Sequence, residues 1–211
     1  MRLLKIELKI KIPKNRVGAL IGKSGSTRRK LERLTGAKIH VDSGTGEVTI
    51  VFEKPPEDPL MPHKLQSIIQ AIGRGFAPDK ALKLLDDDYV LEIVDLRDFV
   101  GSSKNALQRI RGRLIGEGGK ARLYIERRTG TNISIYGHTA AIIGRYYDIL
   151  PAKEAIIALA SGSRHSTAYR RMERKIAEMR EREALEQMMI LREARASRKR
   201  KEESEAGECE E

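Results

Sequence analysis

The chain has 211 residues, 40% of them hydrophobic and only 4% aromatic, enough for one large core or two small ones. Its 41 Lys and Arg against 30 Asp and Glu leave a formal charge of +11, and that sign points to a polyanionic partner rather than only to a charge-rich surface. One cysteine, Cys209, excludes a disulfide framework and a cysteine zinc site, and His40, His63, His138 and His165 are scattered without ligand spacing.

Met1-Arg2-Leu3-Leu4-Lys5 has no long apolar run of the kind a signal peptide needs, and no stretch approaches about 18 apolar residues, so a cytoplasmic protein without membrane contact is expected. Leu3 to Ile12 alternates apolar and charged residues, a half-buried strand stopped by Pro13. Lys14 to Ile21 forms a short helix broken at Gly22-Lys23-Ser24-Gly25, and Ser26 to Leu34 forms a second that Gly36 ends. Ala37 to Val41 and Glu47 to Phe52 make a hairpin around Ser43-Gly44-Thr45-Gly46, and a Pro-rich stretch leads to a helix near His63 to Gly73. Tyr89 to Leu96 starts the order again as a strand. Ser102 or Ser103 caps a helix toward Ile115, Lys120 to Arg128 is the next, and strands follow at Asn132 to Tyr136 and Ala140 to Gly144. A helix near Asp148 to Ala160 closes this unit. Beyond Ser161-Gly162-Ser163, residues 164–201 read as a basic helix whose Met172, Ile176 and Met179 stripe packs on its own domain. The acidic tail 202–211 reads as disordered.

The second half repeats the first. A shift of 94 residues lays Leu20-Ile21-Gly22 over Leu114-Ile115-Gly116, Gly25 over Gly119, Glu32-Arg33 over Glu126-Arg127, Thr35-Gly36 over Thr129-Gly130 and Ile39 over Ile133. Gly18 likewise meets Gly112, and Arg28 meets Arg122. The expected organisation is therefore a β-α-α-β-β-α unit at 1–75, a linker at 76–88 and a second unit at 89–163, each an α+β arrangement of one antiparallel sheet with helices.

Both glycine turns offer the same chemistry. Glycines let a ligand backbone approach closely, and the helix that follows directs free N–H groups and a positive dipole at the turn. Phosphates suit such a site. Lys23, Arg16, Arg28 and Arg29 add charge around Gly22, Lys23, Ser24 and Gly25; Arg111, Arg113, Lys120 and Arg122 do so around Gly116, Glu117, Gly118 and Gly119. A lone Gly-x-x-Gly turn is usually a plain helix corner, but here the same surroundings occur twice.

The pattern Leu-Ile-Gly-x-x-Gly, a basic helix ending in Thr-Gly, then x-x-Ile, resembles the KH signature, which implies two tandem type I KH domains followed by a C-terminal helix. In that family the loop clamps the backbone of about four nucleotides. The resemblance makes Gly22 to Gly25 and Gly116 to Gly119 the clamps, with Leu20, Ile21, Ile39, Leu114, Ile115 and Ile133 shaping an aliphatic groove or the core beneath. Where KH domains usually carry an aliphatic residue three positions after the loop, this chain has Arg28 and Arg122, which favours phosphate pairing. Glu117 stands where the first copy has Lys23, so the two units are not expected to bind RNA equally.

A narrower resemblance covers nearly the whole chain. Phe76-Ala77-Pro78-Asp79-Lys80-Ala81-Leu82, the strand Tyr89-Val90-Leu91-Glu92-Ile93, Arg113 to Lys120 and Ile133-Ser134-Ile135-Tyr136-Gly137 are similar to the partner-of-Nob (Dim-two-like) family, and the compact length resembles its archaeal members. That family implies a small-subunit ribosome assembly factor that processes no bond itself and takes no cofactor. Its implied partners are small-subunit rRNA or its precursor near the 3′ end, the Nob endonuclease and pre-ribosomal proteins.

Three rival readings remain at this level. Gly18 to Ser24 ends in Gly-Lys-Ser like a nucleotide-binding P-loop, but three residues rather than four separate its glycines and the second copy lacks the lysine. Asp86-Asp87-Asp88 suggests a metal-dependent nuclease only if a partner cluster joins it; a solvated linker is the plainer reading. A protein-interaction scaffold acting through the last helix would bind RNA without salt dependence or not at all.

Overall fold

The computed structural model describes residues 5–101 and 103–208, with the side chains of 194, 196 and 198–208 left aside. The first unit runs β1 (Ile6–Lys11), α1 (Lys14–Ile21), α2 (Ser26–Thr35), β2 (Lys38–Val41), β3 (Glu47–Phe52) and α3 (Met61–Gly73). The second runs β4 (Tyr89–Asp95), α5 (Lys104–Ile115), α6 (Lys120–Thr129), β5 (Asn132–Tyr136), β6 (Thr139–Arg145) and α7 (Tyr146–Ala160). These are two KH-type α+β units. Each sheet is antiparallel, with order β1-β3-β2 in the first and β4-β6-β5 in the second, so the hairpin's second strand lies at the centre.

Sequence explains the local stops. Thr35 and Thr129 are buried and turn their hydroxyls back onto the carbonyls of Leu31 and Ile125, both at 2.8 Å. Gly36 and Gly130 then end α2 and α6 in left-handed geometry, at φ 70° and 71°. Ser103 caps α5 by accepting from the Ala106 amide, whereas Ser102 lies outside the described residues, as do Leu3 and Leu4 of the expected first strand.

The segment expected as a linker, 76–88, packs on the first unit. Phe76, Ala81 and Leu84 are buried, the short helix α4 (Pro78–Ala81) and the turn after it pack on α3, and these residues belong to the first unit's core. Apolar residues at 76, 81, 82, 84 and 85 give this segment enough surface to bury, and that explains the difference. Lys64 fastens it, reaching Asp58 at 2.7 Å and Asp87 at 2.5 Å.

The two cores also meet. Ala141 and Ile143 of β6 join the first unit's core, with Tyr89, Leu91 and Ile93 of β4 packed against it, while Ala140 and Ile142 face α5 and α7. The second sheet is thus covered on both sides. Ser134 Oγ of β5 donates to the Arg74 carbonyl at 2.8 Å across the same junction.

The last helix, α8 (His165–Glu208), packs on α7 through Ala168, Met172, Ile176 and Met179, all buried, so the Met172, Ile176 and Met179 stripe serves its own domain. The helical backbone continues to Glu208, into the segment expected to be disordered, because Glu and Ala favour helix and no proline interrupts it. Cys209 to Glu211 lie outside the described residues.

Candidate nucleic-acid interface

The two glycine turns have nearly the same backbone. Gly22 stands at φ 74°, ψ 176° and Gly116 at φ 73°, ψ 172°; each amide closes its helix onto Gly18 or Gly112, at 2.9 and 2.8 Å. Only glycine fits there: a Cβ on Gly22 would lie 2.8 Å from the Thr27 amide nitrogen, and on Gly116 2.8 Å from that of Ala121. The third loop position is left-handed too, Ser24 at φ 50° and Gly118 at φ 56°. No side chain caps α2 or α6; the Ser26 and Lys120 amides bond back to the Lys23 and Glu117 carbonyls, and the remaining amides of each first turn have no side-chain acceptor. A short turn of backbone amides backed by a helix dipole is suited to an anion.

Charge differs between the copies. Lys23 and Arg29 are exposed beside the first loop, and one Arg29 Nη donates to the Ser24 carbonyl at 2.8 Å, which buttresses the turn. In the second copy Glu117 and Lys120 are exposed, and Leu123 stands in place of Arg29. The first loop is the more positive of the two.

Not every basic residue singled out from sequence gathers at a loop. Arg16 lies at the far end of α1. Its Nε donates to the Ile72 carbonyl at 2.8 Å, an Nη donates to the Phe76 carbonyl at 2.7 Å, and its guanidinium sits 5.7 Å from the Tyr136 ring of the second unit. Arg113 is similarly engaged: it donates to the Ser163 carbonyl, while its own carbonyl lies 3.1 Å from His165 Nε2. These two arginines join structural elements, and helix geometry explains why. Arg16 precedes Gly22 by more than one turn, and Arg113 points toward the α7–α8 corner.

Arg28 and Arg122 keep to the expected place, one turn into α2 and α6. Arg28 borders a groove with His40, Val41, Asp42, Glu47 and Thr49. Asp42 lies on its rim with its carboxyl held below the usual carboxylate range, first by the Thr45 hydroxyl and then by the Gly44 and Thr45 amides. A second groove runs along α5, lined by Lys104, Leu107, Gln108, Arg111, Gly112 and Ile115. Leu20, Leu114, Ile39 and Ile133 are buried beneath, whereas Ile21 and Ile115 stay partly open at the surface.

Gly18 and Gly112 align in the repeat, and outside the P-loop-like run the pattern assigns neither a role. Each lies inside a helix and is exposed, and a Cβ at either would meet nothing within 4 Å. Glycine costs a helix about 1 kcal/mol relative to alanine, so packing gives no reason for it here. Close approach of a ligand to this helix face would give one. G18A and G112A are expected to raise stability by up to about 1 kcal/mol and to weaken RNA binding, opposite signs that thermal unfolding and a binding titration read separately.

The rival readings fare differently. Gly18 to Ile21 are helical, so Gly18 to Ser24 does not form the continuous loop with which a P-loop wraps a nucleotide's phosphates. Asp87 is paired with Lys64, and no metal-binding group of His, Cys, Asp or Glu occurs among the described residues.

Comparison with known proteins places residues 7–57 in the KH domain family and residues 90–177 in the eukaryotic-type KH domain, KH-domain type I. A KH domain-containing protein of Methanocaldococcus jannaschii is 47% identical over 165 residues, covering 78% of this chain and 72% of that protein. The pre-rRNA-processing protein pno1 of Schizosaccharomyces pombe is 28% identical over 146 residues, 69% of this chain and 61% of that one. Among solved structures, the a/eIF2alpha-aDim2p-rRNA complex from Pyrococcus horikoshii contains a similar chain, with 46% identity, a TM-score of 0.78 and coverage of 84% and 97%.

Proposed function

This chain belongs to the PNO1/Dim2-like family of KH-domain proteins, and from that membership we propose an RNA-binding factor of ribosome biogenesis that holds small-subunit rRNA or its precursor near the 3′ end. The observation that carries the reading is the duplicated loop: two uncapped helix starts behind the same glycine geometry, on a chain of charge +11. Gly22 to Gly25 and Gly116 to Gly119 form the backbone clamps. Lys23, Arg28, Lys120 and Arg122 add direct phosphate contacts, Arg29 supports the first loop, and Arg16 and Arg113 act through the scaffold.

The protein works without catalysis or a cofactor, as a binding element of the cytoplasmic assembly machinery. The Nob endonuclease and other pre-ribosomal proteins are its proposed partners. No helix of the described residues is long and apolar enough to cross a membrane. The archaeal Dim2p in the complex above is joined to rRNA, and the loop geometry supports the same class of ligand here.

Titration with single-stranded fragments spanning small-subunit rRNA, repeated across a potassium chloride series, tests this. The 3′-terminal fragment should bind tightest, with log K falling linearly against log salt by about 0.7 for each phosphate contacted. Equal affinity for every fragment would refute the 3′-end assignment, and absence of salt-dependent binding would refute RNA binding itself.

A further inference from the structure

Glu32 and Glu126 occupy equivalent positions in the two copies and do two things at once. Glu32 Oε1 accepts the Ile39 amide at 3.0 Å, and Glu126 Oε1 accepts the Ile133 amide at 2.7 Å. Both amides lie on edge strands, β2 of the first sheet and β5 of the second. The same carboxylates also face an arginine one turn back: Glu32 lies 4.0 Å from Arg28 Nε, and Glu126 lies 3.9 Å from Arg122 Nε. Those two Nε atoms are buried without a hydrogen-bond partner. The side chains as wholes are 42% and 39% exposed, so the charged ends reach solvent while the Nε ends do not. No terminal nitrogen of either arginine donates to protein among the described residues.

An arginine whose buried Nε lies beside a fixed carboxylate presents its fork outward. Carboxylate and strand amide fix one another, and the buried Nε is drawn toward that fixed charge. The arginine thus loses little side-chain freedom when an anion arrives, a cost that otherwise runs to about 0.5–1.5 kcal/mol per ordered side chain. Geometry repeated in both copies, on residues whose loops differ in charge, argues against chance.

We propose that Glu32 and Glu126 are positioning residues for RNA: each, anchored on its edge strand, aims the terminal nitrogens of Arg28 or Arg122 at a phosphate next to the one held by the glycine loop. The inference rests on the loop-clamp reading above and adds a second phosphate site to each unit. It also has an unusual sign. Removing an acidic charge beside a polyanion should tighten binding if long-range electrostatics alone matter. Removing an aiming residue should weaken it.

Glu32→Gln and Glu126→Gln separate the two, because glutamine keeps an oxygen for the strand amide and loses the charge. With a single-stranded oligonucleotide of the rRNA 3′ end as probe, each variant should bind about 3- to 10-fold more weakly. The salt slope should flatten by about the 0.7 of one lost phosphate contact. E126Q should add nothing in an R122A background, and R122K should reproduce the loss, since lysine keeps the charge but not the fork. Unchanged or tighter binding by E126Q and E32Q, or a loss that persists alongside R122A, overturns the proposal. Comparison with the aspartate loop variants K23D/S24D and E117D/G118D keeps the premises apart. If those variants bind like the parent, the loop reading falls and takes this one with it; if they lose binding while the glutamine variants do not, only the positioning role falls. Arg122→Ala leaves the strand cap intact, so it supplies the same readout should a glutamine variant fold poorly.

Discussion

Placing aspartates at Lys23 and Ser24 is expected to cut RNA affinity by roughly 10- to 100-fold with the chain still folded, equivalent to about 1.4–2.8 kcal/mol. Two carboxylates would then stand where backbone amides present themselves to a phosphate. The fold should tolerate them. Lys23 is exposed, and Ser24 already holds left-handed geometry at φ 50°, a region where aspartate is enriched among non-glycine residues. In the second copy E117D/G118D puts a side chain at Gly118, where a Cβ meets nothing within 4 Å. Its φ of 56° makes the cost about 1–2 kcal/mol. The first pair reverses a lysine and adds a charge; the second adds only one charge to a loop that is already acidic at Glu117. Generic electrostatics therefore ranks the first loss above the second. A larger loss from the second would identify it as the seat of the specific contact. Parent-like affinity in both variants would abolish the clamp assignment. Circular dichroism and thermal midpoints establish that each variant is folded.

The second large effect falls on stability. Arg16→Ala is expected to cost about 2–4 kcal/mol, because it strips charged donors from the Ile72 and Phe76 carbonyls and a cation from the Tyr136 ring. For a chain of this size the melting point should fall by roughly 5–15 °C. The salt slope of RNA binding should not change, since the guanidinium is already spent on protein carbonyls. A parent-like melting point with a shallower salt slope would return Arg16 to the RNA interface.

Much of the architecture was legible because it rests on local patterns. The turn at Ser43-Gly44-Thr45-Gly46 and the internal repeat gave the strands Glu47 to Phe52 and Asn132 to Tyr136, which match residue for residue, and Thr-Gly pairs marked two helix ends. The glycine loops were legible because they occur twice. What was not legible depended on direction in space. Arg16 is close to Gly22 in sequence, but a helix carries it to the opposite end of α1. The packing of the linker was not legible because its apolar residues have no period; only the neighbouring α3 shows what they bury against. The grip of Glu32 and Glu126 on edge-strand amides left one trace, the repeated Arg and Glu one turn apart, whose meaning needs the strand beside the helix.

The two central strands differ in what their outer faces meet. β3 keeps Glu47 and Thr49 on its outer side, while β6 is buried through Thr139 to Gly144 and reads Ala140-Ala141-Ile142-Ile143. β6 thus has apolar side chains on both faces, one turned to its own unit and one to the other. The halves are therefore not interchangeable. By sequence Ala141 and Ile143 belong to the second half, yet by packing they belong to the first. A substitution there is felt in both units, and the second half taken alone would leave an oily face with no cover.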